Sequence, residues 1–382
     1  ALAEAEGRTA EALAGYEAVG RGRDRLARAR ALRRDVELRL ATGALTPAQA
    51  ADRLEAAIFA WRGDALEIDN RLRLAALRTE AGDPRAAMAV LQETEALFPE
   101  QAPAVRTGLQ DAFLAALARE APLGAVALHD AHADLLPADA RGQAALAGLA
   151  ERLVALDLPD RAAVLLQAAV ERAQPGSVQH AEAALRLARL RFAEGDAAGA
   201  LAALRQGAPR PDQQAPPEAL PAPLERERRI LMARAEARLG QHDAAVAALQ
   251  PLGADGAESL AEILTGMQDW TGAARALATH LAATLPAPPA TLDTAQARLL
   301  LRQAALLGLS GDAAALSALS AQYAPRLAAG PLADAFAALT ADPMRGLADL
   351  PRMQRELGLF RGFPGALSTR LEPLRAASLG TR

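Results

Sequence analysis

The sequence predicts an all-α protein, a right-handed superhelical solenoid of about nine helix-turn-helix repeats. Two observations carry this prediction. Alanine and leucine dominate the 382 residues, whereas isoleucine occurs four times and aromatic residues make up 3%, a composition that favours helices over strands. A short motif also recurs, a turn residue and an acid followed by alanine and leucine, at intervals of about 38 residues.

One copy of the motif shows how a repeat is built. Gly195 can adopt the left-handed conformation that ends a first helix. Asp196 is then placed to cap the second helix by accepting hydrogen bonds from its first amides. Ala200 and Leu204, four residues apart, share one face of that helix. The small alanine lets two helices approach closely, and neighbouring hairpins must supply the rest of the core.

The equivalent turn positions recur along most of the chain. They mark the end of a first helix and the start of a second helix in each predicted hairpin. These positions are Gly7, Gly43, Gly82, Gly124, Pro159, Gly195, Gly240, Met267 and Gly311.

The hairpins resemble tetratricopeptide repeats. The three clearest copies are residues 68–100, 181–211 and 226–252, each with a glycine at the turn and the alanine and leucine that follow it. The resemblance covers most of residues 1–340. For the irregular units, HEAT-like hairpins of longer period are an alternative.

The resemblance implies a concave groove lined by particular positions of the first helices, suited to a helix or an extended peptide. A glutamate and an arginine seven residues apart recur on this face. Ordinary intrahelical charge pairing is the alternative explanation for that recurrence. The predicted groove residues are Asp69, Leu72, Glu182, Leu185, Arg189, Phe192, Glu227, Ile230 and Arg234.

Two proline-rich segments, 207–223 and 284–291, interrupt the pattern. Because the motif resumes on both sides, we interpret them as insertions in one array and not as domain boundaries. They are predicted to be exposed loops, and the alternative is a polyproline II strip that a partner recognises.

The last part of the chain, 341–382, lacks the motif and has more arginines than acids. It is predicted to form a cap helix and tail, because a solenoid must cover its last apolar face. The alternative is a detachable anchor. Its apolar residues would be Leu357, Leu359, Phe360 and Phe363.

The composition also excludes several kinds of chemistry. All 42 basic residues are arginine, so a P-loop or a Schiff-base lysine is excluded from this segment. The absence of cysteine excludes thiolate metal sites and cysteine nucleophiles. His129 and His132 lack a third ligand at a convincing spacing, so a surface role is favoured over a metal site. The arginine run 21–35 spreads around its predicted helix, which favours a solvated helix. No enzyme activity, cofactor or metal is predicted.

These observations favour a non-catalytic scaffold or adaptor in a bacterial multiprotein assembly, with a protein or peptide partner. A net charge of −4 argues against nucleic acid, and no apolar stretch is long enough for membrane insertion. Two alternatives are the repeat arm of a larger protein, with an upstream catalytic or membrane-anchoring part, and a periplasmic scaffold of a motility or secretion machine. The location stays open between cytoplasm and periplasm. Because residue 1 is alanine within a repeat-like segment, the native N-terminus is expected to lie upstream.

Overall fold

The computed structural model describes residues 2–58, 61–62, 65–208, 218–288, 290–328 and 330–341. Within these ranges the chain forms nineteen α-helices and no strand, which confirms the all-α prediction. The chain divides into two compact units, Ala1–Leu220 and Pro221–Arg382. The boundary therefore falls inside the first proline-rich segment, where the sequence was interpreted as an insertion in one continuous array.

The first unit holds twelve of the described helices. They are α1 (Leu2–Ala5), α2 (Thr9–Gly20), α3 (Arg25–Ala41), α4 (Pro47–Ile58), α5 (Ala65–Glu80), α6 (Pro84–Leu97), α7 (Ala102–Arg119), α8 (Pro122–Ala131), α9 (Ala140–Val154), α10 (Pro159–Arg172), α11 (Val178–Ala193) and α12 (Ala197–Gln206).

The second unit holds the other seven. They are α13 (Ala222–Arg238), α14 (His242–Leu249), α15 (Ala254–Gly266), α16 (Trp270–Thr284), α17 (Thr294–Ser310), α18 (Ala313–Leu327) and α19 (Ala333–Thr340). Because α13 begins at Ala222, the helical break predicted over 207–223 ends earlier than expected.

Helices that follow one another in sequence pack against each other within each unit. In the first unit α5, α7, α9 and α11 also contact in succession, and in the second unit α13 contacts α15 and α17 contacts α19. We call the odd-numbered helices from α3 to α17 the first helices and the even-numbered helices that follow them the second helices. This alternation is what stacked helical hairpins require.

Within the described part of the chain, eight hairpins share one turn. A residue with positive φ follows the first helix, and the amide of the next residue donates to the carbonyl five positions earlier over 2.8 to 3.1 Å. This is the bond that satisfies carbonyls left open at a helix end. The left-handed residues are Gly7, Gly43, Gly82, Asp157, Gly195, Gly240, Gln268 and Gly311.

Six of the predicted turn glycines are therefore confirmed, and three positions need correction. The left-handed residues are Asp157, two positions before the predicted Pro159, and Gln268, one after the predicted Met267. The turn predicted at Gly124 is wrong, because Gly124 lies inside α8. The chain between α7 and α8 is extended instead, and Pro122 starts α8.

The cap predicted at Asp196 is confirmed, and the same cap occurs in three other hairpins. Asp83, Asp196, Asp269 and Asp312 each accept a hydrogen bond from the amide three residues later, over 2.7 to 3.1 Å. The bond from the Gly199 amide lowers the pKa of the Asp196 carboxyl below its usual value. This cap therefore stabilises the fold above the ordinary aspartate pKa, and the stabilisation is lost as the pH falls through the lowered pKa.

The alanine and leucine that follow the turn lie in the core of five hairpins. Five second helices bury an alanine five residues after the left-handed residue and a leucine four residues beyond it, each at most 5% exposed. The alanines allow close helix approach, and the leucines fill the space beyond. The pairs are Ala87 and Leu91, Ala162 and Leu166, Ala200 and Leu204, Ala245 and Leu249, and Ala273 and Leu277.

Both proline-rich segments are tied to helices. The Glu218 amide donates to the Gly176 carbonyl, and its carboxylate accepts from the Val178 amide at the start of α11, each over 3.0 Å. In the second segment, Arg326 of α18 donates to the carbonyls of Pro286 and Ala290 over 2.9 and 2.8 Å. Residues 209–217 and 289 lie outside the described ranges.

Two further predictions concern the end of the chain and the membrane. The cap helix and tail predicted for 341–382, with Leu357, Leu359, Phe360 and Phe363, lie outside the described residues except for residue 341. Among the helices that are described, none has both the length and the apolar character to cross a bilayer.

We predict opposite effects of alanine at two glycines of the first unit. Gly195 has φ +86° and Gly148 lies within α9, and a Cβ at either position would meet nothing within 4 Å. Gly195→Ala should therefore lower the free energy of unfolding by about 1–2 kcal/mol through backbone strain alone. Gly148→Ala should raise it by about 0.5–1 kcal/mol. Denaturant unfolding measures both, and equal effects would contradict a left-handed turn at Gly195.

Candidate functional site

In the second unit, charged side chains connect three successive first helices. Arg226 of α13 pairs with Asp255 of α15 at 3.0 Å (Nε to Oδ2). Arg234 of α13 lies 3.4 Å from Glu262 of α15 (Nη2 to Oε2), and Arg302 of α17 lies 3.9 Å from the other oxygen of the same carboxylate. We call these five residues the charged line. It starts on α13, to which the sequence assigned groove residues, and continues onto α15 and α17, to which it assigned none.

The turns place the charged line. Arg234 lies six residues before the left-handed Gly240, and Glu262 lies six residues before the left-handed Gln268. The same turn ends both first helices. Because the two residues lie at the same distance in sequence from that turn, their side chains lie at the same level on neighbouring helices. Arg302 lies nine residues before Gly311, which brings it to the same carboxylate.

Sequence reasoning found Arg234 but missed the other four members of the charged line, which are Arg226, Asp255, Glu262 and Arg302. A usable signal was present. Asp255 lies 13 residues before Gln268, the same offset that separates the predicted Glu227 from Gly240. The sequence places this turn at Met267, one residue early, and groove positions are predicted only for the three clearest hairpins, which do not include this one.

The charged line is open to solvent. Its side chains are between 29% and 52% exposed. Ion pairs at this exposure contribute little to stability, since water screens them and ordering long side chains costs entropy. The charges can therefore exchange their intrachain partners for those of a bound molecule at small cost.

The other groove residues predicted on α13 lie beside the line. Glu227 is exposed, and Ile230 is half-buried. Ile230 packs against the buried cluster of Ala233, Ala245, Leu249 and Ile263. An apolar side chain anchored in the core thus accompanies the charges on α13.

In the first unit the predicted groove residues divide between surface and core. Asp69 is exposed and Leu72 is half-buried on α5. On α11, Leu185 and Phe192 are only 3% and 9% exposed, so both belong to the core and not to an open groove floor. They face inward because α11 packs against α9, α10 and α12.

The charged residues of α11 do not repeat the arrangement in the second unit. Glu182 pairs with Arg186 four residues later at 3.8 Å, which is the intrahelical pairing considered as the alternative. Arg189 is exposed and has an intramolecular contact of its own. The recurrence of glutamate and arginine seven residues apart therefore corresponds to different pairings on α11 and α13.

Ion pairs between first helices also occur in the first unit. Arg73 of α5 donates to Glu37 of α3 over 2.7 Å, and Arg141 of α9 donates to Asp111 of α7 over 2.6 Å. The bond to Glu37 raises the pKa of Arg73. Glu37, like Glu262, lies six residues before the left-handed residue of its hairpin. Arg73, like Arg302, lies nine residues before the left-handed residue of the next hairpin. The same connection between neighbouring hairpins thus forms in both units.

One charged cluster in the first unit is of a different kind. Arg71 and Glu67 of α5 are paired at 3.0 Å with side chains only 3% and 4% exposed, and Arg71 also reaches Glu93 of α6 at 3.1 Å. Because Arg71 and Glu67 are shielded from water, removing one of the two leaves the other buried without this partner. The cluster holds two helices together, and of its three side chains only that of Glu93 is exposed.

The histidine pair does not share a helix face. His129 lies in the last turn of α8, with Nδ1 3.1 Å from an Asp130 oxygen, whereas His132 lies beyond the end of the helix. In the described ranges no three histidine, cysteine or acidic side chains are grouped to hold a metal ion.

Comparison with protein-family models and with curated proteins found no match to this chain. The resemblance to tetratricopeptide repeats therefore rests on the hairpins themselves. Eight of the described hairpins share the left-handed turn, and five of those eight also share the buried alanine and leucine.

We predict that the charged line is nearly neutral for stability, unlike the cluster on α5. The double variant Arg234→Ala/Arg302→Ala should change the free energy of unfolding by less than about 1 kcal/mol. Arg71→Met should lower it by about 3–5 kcal/mol, because Glu67 then loses its buried cation. Denaturant titrations compare the two variants. A cost for the double variant as large as that of Arg71→Met would show that the line serves the fold.

Proposed function

We propose that this protein is a non-catalytic scaffold or adaptor of a multiprotein assembly and that it binds a protein or peptide across the first helices of its second unit. One observation carries the proposal: the charged line continues over α13, α15 and α17 and stays open to solvent. Exposed charges that contribute little to stability are suited to recognition, because they steer the encounter with a partner and fix the partner's register in the complex.

The order of charges along the charged line indicates which side chains a matching partner presents. Glu262 lies between Arg234 and Arg302, and Asp255 lies beside Arg226. A matching partner presents carboxylates to the arginines and a basic side chain to Glu262, with an apolar residue for Ile230. A helix or extended peptide offers such spacing along one edge. Arginine suits this role because its planar guanidinium binds carboxylates with two hydrogen bonds.

We further propose that the hairpins form a right-handed superhelix of about nine tetratricopeptide-like repeats. The shared turn, the aspartate caps and the buried alanine and leucine support this assignment. They recur on both sides of the first proline-rich segment. Repetition of one hairpin is the arrangement that extends a binding surface along a short chain.

Charge reversal tests the proposed function. The variant Arg234→Glu/Arg302→Glu should lose the partner that the unchanged protein retains from extracts of its native cells, because both arginine contacts become repulsive. The matched control is Arg205→Glu/Arg275→Glu, which makes the same charge change at exposed residues of the second helices α12 and α16. Quantitative mass spectrometry of the retained proteins is the readout, with circular dichroism to check folding.

Retention of the same partner by the folded Arg234→Glu/Arg302→Glu variant would refute the assignment of the surface. Loss in both variants would show a general effect of net charge. For the unchanged protein, binding should also weaken as salt is raised, because exposed charges are screened.

A further inference from the structure

The last hairpin, α17 and α18, departs from the packing of five other hairpins. Five second helices bury an alanine and a leucine at fixed distances from the left-handed residue. In α18 the same positions, counted from Gly311, hold Leu316 and Ser320, and both are only half-buried. The positions that pack in the core of those five hairpins are therefore partly open at this hairpin.

The whole of α18 is unusually uncovered. Its one buried residue is Leu327, whereas α16, of the same length, buries five residues. Its sequence is nevertheless mostly alanine and leucine. A helix of this composition is stabilised by packing, and here the packing surface lacks part of its cover.

A depression of about 680 Å³ lies along this open surface. None of its described lining residues is charged, and they include Leu307 of α17 with Leu316 and Ala321 of α18. Thr340 and Ala341, where the described chain stops, also line it. The C-terminal segment is therefore attached to the rest of the chain at this depression.

The following segment carries the apolar side chains that such a surface needs. Fifteen residues lie between Ala341 and Leu357, and Leu359, Phe360 and Phe363 follow within the next six. A flexible tether of this length spans roughly 20 Å on average, and a tethered group has an effective concentration of order millimolar. A separate partner protein at ordinary cellular concentrations does not reach this effective concentration.

We propose that the depression beside α18 is the docking site of the chain's own C-terminal segment, through Leu357, Leu359, Phe360 and Phe363. The segment covers the open face of the last hairpin, as the core pairs of the other hairpins are covered by their neighbours. This inference does not depend on the charged line, so the two proposals succeed or fail separately.

Engineered disulfides test the docking, since the chain has no cysteine of its own. Ala321→Cys is combined in the full chain with Gly358→Cys or Arg361→Cys, which leaves the four apolar residues intact. The control replaces Ala321→Cys with Ala247→Cys, an exposed position on α14. Under mild oxidation, the position 321 variants should form disulfides within one chain roughly tenfold faster than the controls, because docking raises the local concentration. Equal rates would overturn the proposal, and disulfides formed only between chains would assign the depression to a second copy.

Hydrogen exchange provides a second readout on a chain without cysteine. Leu357→Ser/Phe360→Ser should speed amide exchange in α18 and leave α16 unchanged, because an uncovered helix opens more often. The matched control is Leu371→Ser/Leu374→Ser, which alters two other leucines of the same segment and should leave α18 unchanged. Unchanged exchange in α18 of the first variant would also overturn the proposal.

Discussion

The left-handed turn that eight described hairpins share is the constraint on which the rest of the described structure depends. One residue at positive φ reverses the chain, and the amide of the next residue donates to the carbonyl five positions earlier. In five of these hairpins the alanine five positions after the left-handed residue and the leucine four positions beyond it lie in the core. Glycine occupies most of these positions because it alone adopts the conformation without strain. Asp157 and Gln268 show that the surrounding packing can impose it on other residues.

The same turn also determines where charges meet. A residue six positions before one turn pairs with a residue nine positions before the next turn. Examples are Glu37 with Arg73 and Glu262 with Arg302. The cost of changing these charges depends on burial. The pair of Arg71 and Glu67 is shielded from water and committed to the fold, whereas the charged line is accessible. A repeat fold can therefore vary its surface recognition without altering its hairpins.

Much of the fold was predictable because the motif is local: Gly195 and Asp196 form the turn and cap that the sequence indicates. The site was harder to predict. Burial of Leu185 and Phe192 depends on neighbouring helices, which a helical period alone does not specify. The arginine run shows the same difficulty, since Arg33 donates to the buried Asn70 of the next first helix across 37 positions. Such contacts follow from stacking.

The central claim is that the first helices of the second unit form the recognition surface. The most direct test is site-specific photocrosslinking in the native cell, with the photoreactive residue at position 262 on α15 or at position 247 on α14, an exposed second-helix control. The account predicts a discrete adduct with one partner protein from position 262 and none from position 247. An adduct from position 247 alone would contradict it and place recognition on the opposite helices of the hairpins.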